Sequence, residues 1–100
     1  MKFNKILIVS LILTTFFLVS CKNNKDKYKD LPKPLAELCM KIDKDPDNAE
    51  LYYKRAQYYY QNGFVDEGFK DASQAVKLDS KNALYQILIS DFYFAKRETD

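Results

Sequence analysis

The feature that most constrains this chain is that it repeats itself. Asp45-Pro46-Asp47-Asn48-Ala49 returns 34 residues later as Asp79-Ser80-Lys81-Asn82-Ala83. At the same offset Tyr58-Tyr59-Tyr60 becomes Phe92-Tyr93-Phe94, and Ala56 becomes Ser90. A period of this length belongs to repeat architectures, in which each unit buries its apolar face only by stacking on its neighbours.

The local chemistry within one period is that of two helices and a turn. Asp47 or Asn48 can cap a first helix, and Asp47 with Glu50 has the three-residue spacing of a capping box. Gly63 supplies a left-handed residue to end that helix. Asp66 and Glu67 suit the positive end of a second helix, along which Gly68, Ala72 and Ala75 fall at i, i+4 and i+7. Three small residues on one stripe let a neighbouring helix approach closely, with Tyr52, Ala56 and Tyr59 as the facing set. The pattern predicts helices over 33–44, 48–62, 65–78 and 82–97. The expected fold class is all-α, a short α-solenoid of about four helices in antiparallel pairs.

Residues 49–82 resemble one complete tetratricopeptide repeat. Tyr52 stands at the fourth position of the unit, Ala56 at the eighth, Tyr59 at the eleventh, Gly68 at the twentieth and Ala75 at the twenty-seventh. The unit departs from the pattern at Arg55, where an aliphatic residue is common, at Ala72, where a large aromatic is usual, and at Ser80, where proline is usual. The last two departures imply looser packing and a softer turn. The resemblance extends over a helical module at 35–100, with a full repeat at 49–82 and a partial repeat at 83–100. It implies a concave groove lined by the first helix of each unit: Glu50, Tyr53, Gln57, Tyr60 and Gln61, then Leu84, Ile87, Asp91, Phe94 and Ala95. Spacing is compatible, since 53, 57, 60 and 87, 91, 94 each mark one helical face. Exposed tyrosine beside glutamine suits peptide recognition; the alternative is that Tyr60 and Phe94 are simply core. The lysine–asparagine carboxylate clamp of some family members is not evident, because Tyr53 and Gln57 stand at those positions. Lys54 and Arg55 are expected on a solvated face.

The amino-terminal segment has a different character. Lys2 and Lys5 flank the start of the apolar run 6–19, whose fourteen residues include only Ser10, Thr14 and Thr15 as polar members. A spanning helix needs about 20 apolar residues, so the run fits the core of a secretory signal peptide better than an anchor. It ends in Leu18-Val19-Ser20-Cys21, which resembles the lipobox of bacterial lipoproteins. That resemblance implies a signal peptide at 1–20, cleavage before Cys21, and a covalent lipid on the Cys21 thiol with acylation of the new amino terminus. Two or more acyl chains hold a protein firmly on a bilayer where one does not. Residues 22–30 hold no aliphatic side chain and read as a solvated tether, 21–34, closed by Pro32 and Pro34. The implied location is the cell envelope, facing the periplasm or the cell surface. Lys22 rather than aspartate follows the cysteine, which favours the outer membrane by the enterobacterial sorting rule.

Composition narrows the function classes. The chain has no histidine and no tryptophan, which removes histidine-based nucleophilic triads and imidazole metal sites. Sixteen basic residues, less the two leader lysines, equal the fourteen acidic ones, so no basic nucleic-acid footprint remains. Asp43, Asp45 and Asp47 lack the glycine and terminal glutamate of a calcium loop and read as helix-junction acids. No metal and no cofactor other than the lipid is expected, and no catalytic constellation is visible. Cys39 is expected in the core. The helix 82–97 is apolar nearly all round, as buried helices are, which raises self-association through that helix. The reading is a membrane-anchored, non-catalytic module that binds a protein or peptide at the envelope. A structural accessory subunit of an outer-membrane or cell-wall assembly, or a truncated relic of a longer repeat lipoprotein, is the alternative.

Overall fold

The computed structural model describes residues 26–99. The expected signal peptide, 1–20, and Cys21 lie outside the described residues. The chain divides into two units, 1–31 and 32–100. The described part of the first is a run of turns, in which the Lys29 amide donates to the Asp26 carbonyl at 3.4 Å and the Leu31 amide to the Tyr28 carbonyl at 3.1 Å.

The second unit is all helical: α1 Lys33–Lys44, α2 Ala49–Gln61, α3 Val65–Leu78 and α4 Ala83–Thr99, with no strand among the described residues. Every helix lies within two residues of the predicted span. Helix α3 packs on both α2 and α4, while α1 packs on α2. None of the described helices is long and apolar enough to cross a membrane.

The repeat seen in the sequence is reproduced bond for bond in the two turns that open α2 and α4. Asn48 caps α2 by accepting from the Glu50 amide at 3.1 Å, and Asn82 accepts from the Leu84 amide at 3.0 Å. Their side-chain amides donate to Asp45 and Asp79, at 3.0 and 3.4 Å. The Tyr52 hydroxyl donates to the Pro46 carbonyl at 2.7 Å, and the Gln86 amide donates to the Ser80 carbonyl at 3.0 Å. Each bond has its counterpart 34 residues on, and Ser80 keeps the turn that Pro46 makes. The capping box of Asp47 with Glu50 does not form, because Asn48 one residue later already takes the orphan amide.

Gly63 has φ +79°, where a side chain would be strained. It closes α2 in a Schellman arrangement, with the Phe64 amide on the Tyr59 carbonyl at 2.9 Å and the Gly63 amide on the Tyr60 carbonyl at 3.4 Å. The hydrophobic contact that accompanies such ends is present, the Tyr59 and Phe64 rings meeting edge to face at 6.0 Å.

The core is built on Ala56, Ala72, Leu88 and Phe92, with Tyr53, Val65, Phe69 and Ile89 packed around it. Phe92 is wholly buried. Its ring lies over Gly68, where a Cβ would strike it and stand 3.1 Å from the Tyr59 Cβ. The small stripe of α3 therefore admits an aromatic from α4 as well as the helix α2. Leu35, Cys39 and Ile42 form the buried face of α1.

Arg55 corrects the expectation of a solvated face. Its guanidinium turns inward and pairs with Asp71 of α3, itself almost wholly buried.

Candidate functional site

The predicted groove residues lie along one face of α2 and one face of α4. On α2 the side chains at 53, 57 and 60 follow one another at helical spacing, and those at 84, 87, 91 and 94 do so on α4. Tyr53 lies on Tyr85, ring centroids 4.9 Å apart, and Tyr60 meets Phe92 edge-on at 5.2 Å. The Gln57 amide donates to the Tyr53 hydroxyl at 3.1 Å. Tyr53 and Gln57 are therefore half-buried and partly committed to holding the two helices together.

Other groove residues stand open. Tyr60, Leu84, Ile87 and Phe94 are 45, 58, 59 and 64% exposed, so Tyr60 and Phe94 are not core. Glu50, Gln61 and Asp91 are also exposed, and Ala95 is half-buried. Glu50 forms a surface pair with Lys54 at 3.3 Å, of the kind that contributes little. The helix predicted to be apolar all round is covered on one face only, through Tyr85, Leu88 and Phe92. Its flank toward α3 carries the Tyr93 ring on Phe69 at 5.0 Å and Lys96 over the same ring at 4.5 Å.

The surface offers apolar area, phenol and amide hydrogen-bonding groups, and carboxylates. Burial raises the Tyr85 phenol above its usual pKa, and Asp79 and Glu50 push the same way. Tyr85 is a buried floor to this face, stacked on Tyr53.

The residues that sequence reasoning missed are Arg55 and Asp71. Two Arg55 nitrogens donate to the Asp71 carboxylate, Nε at 2.6 Å and Nη2 at 2.8 Å, and Nη1 donates to the Cys39 Sγ at 3.4 Å. A signal was present: Asp71 lies beside Ala72 on the small-residue stripe of α3, and Arg55 lies beside Ala56 on the face that meets it. A charge on each of two facing stripes is an ion pair waiting to be read. Tyr85 was also missed as a groove element, although it is three residues before Leu88 and seven before Phe92.

No family model, no curated protein and no solved structure matches this chain.

Proposed function

We propose that this chain is a lipid-anchored bacterial envelope protein whose folded part is a tetratricopeptide-like module that binds a protein or peptide. The binding residues in this reading are Tyr60, Ile87, Asp91 and Phe94, with Glu50, Tyr53, Gln57 and Gln61 bordering them. Cys21 carries the lipid, and the tether, 21–34, gives the module reach from the bilayer. The role is recognition rather than catalysis.

One observation carries the reading. Large apolar side chains stand exposed along one stripe of α4, Leu84, Ile87 and Phe94, with Asp91 among them, on a helix whose other side is well packed, and Tyr60 of α2 is exposed as well. Exposed apolar side chains grouped in this way mark interaction sites, and the aromatic share is what anchors peptides.

The test uses the full lipidated chain in solubilised envelopes. A variant with Ile87→Ser and Phe94→Ser should lose a captured partner while its circular dichroism melt stays within a few degrees of the parent. Capture unaffected by these changes would refute the groove. Mass spectrometry of the chain purified from cells should find the lipid on Cys21, and a free, unmodified Cys21 would refute the anchor.

A further inference from the structure

The repeat allows the occupant of the open α4 face to be described, on the premise that this face is the binding site proposed above. Tyr53 and Tyr60 are the ring contacts that α2 makes with α4, to Tyr85 at 4.9 Å and Phe92 at 5.2 Å, while α3 supplies the larger part of the seat. Their counterparts 34 residues on are Ile87 and Phe94, which are apolar and exposed. The α2 share of that seat thus recurs on α4. A helix seated there as α4 sits on α2 presents large apolar residues at the spacing of Tyr85, Leu88 and Phe92, that is i, i+3 and i+7.

Charge then selects among helices. Leu84, Ile87, Asp91, Phe94 and Glu98 fall on one side of α4, and both carboxylates are exposed. Of the bases of this helix, Lys96 is turned to α3, 3.7 Å from Asp66 and over the Phe69 ring, and exposed Arg97 borders Phe94 about 60° round the helix, on the side away from Asp91 and Glu98. A second copy laid antiparallel, Ile87 on Phe94, sets Asp91 against its own twin, and like charges at an interface work against association.

We infer that the open face of α4 docks an amphipathic helix of another protein, with large apolar residues at i, i+3 and i+7 and lysine or arginine flanking them to meet Asp91 and Glu98. The face is both an apolar seat and an acidic one, and specificity comes from the second property.

The test takes the full chain in a phosphatidylcholine nanodisc, with an empty disc as blank. Two fluorescent synthetic helices carrying Tyr, Leu and Phe at i, i+3 and i+7 serve as probes, one flanked by lysines and one by glutamates. The lysine helix should bind about tenfold tighter in low salt, and Asp91→Lys with Glu98→Lys should invert that preference. Ile87→Ser with Phe94→Ser should abolish binding of both. Equal affinity for the two helices overturns the inference alone if partner capture still depends on Ile87 and Phe94. Loss of that dependence overturns the groove reading as well. Concentration-dependent dimers that Asp91→Lys strengthens and Ile87→Ser dissolves assign the face to a second copy and overturn the inference.

Discussion

The Arg55 guanidinium holds the Asp71 carboxylate in a two-pronged grip, at 2.6 and 2.8 Å, across the interface of α2 and α3. Burial disfavours the guanidinium charge, but the hydrogen bond and charge of Asp71 more than offset this and hold Arg55 above its usual pKa. Removing one partner strands the other in a nearly dry site. Asp71→Ala and Arg55→Leu are each expected to cost about 3–5 kcal/mol, a large share of the about 5–15 kcal/mol that holds a domain together. The double variant should recover most of that loss, because two apolar side chains leave no unpaired charge. A denaturant-melt double-mutant cycle checks this, and additive losses would show that the two side chains act independently.

Gly68 sits where α3 meets the Phe92 ring. An alanine there improves helix propensity by about 1 kcal/mol, yet it forces a methyl into a wholly buried aromatic. Overpacking of this kind costs about 1–3 kcal/mol, so Gly68→Ala is expected to lower the melting temperature despite its better propensity. Adding Phe92→Leu to that variant should return part of the loss, although Phe92→Leu alone is destabilising. A rise in melting temperature from Gly68→Ala alone would mean that the ring has room to move.

Gly63 has open space around it, with nothing within 4 Å of a Cβ, but a φ of +79°. Gly63→Ala is therefore expected to cost about 1 kcal/mol from backbone strain alone. Gly63→Asn should cost less, since asparagine tolerates the left-handed region better. Thermal melts of the two variants against the parent separate these values.

Alkaline pH should loosen the fold. Burial raises the phenols of Tyr59 and Tyr85 above their ordinary value, which is about 10. A raised folded-state pKa contributes stability that is fully present below the unfolded value and is lost as pH climbs through the folded value. Melting temperature should accordingly fall as pH rises past about 10. The fall should be shallower in Tyr59→Phe and Tyr85→Phe, and an unchanged slope in both would locate the alkaline sensitivity elsewhere.

How much of this was legible in the sequence depended on whether a feature was periodic. The four helices, the Gly63 stop, the Gly68–Ala72–Ala75 stripe and the burial of Cys39 all follow from spacing or residue type, and the structure has each of them. The particular cap was not legible, since Asp47 and Asn48 each offer an acceptor oxygen of similar capping preference and only the backbone path chooses between them. The inward turn of Arg55 was missed because its partner lies 16 residues away, and only the pairing of the two facing stripes, not a local rule, links the positions. Which side of α4 stands open was not legible, for a different reason. Apolar composition says that a helix wants cover on all sides, but only packing shows which side receives it.

The third nitrogen of Arg55 reaches the Cys39 sulfur, 3.4 Å away, so one side chain touches α1, α2 and α3. Chain tension arriving from residues ahead of Pro32 enters the module at α1. Freeing α1 would bare Leu35, Cys39 and Ile42 and, in the same event, take a contact from the side chain that ties α2 to α3.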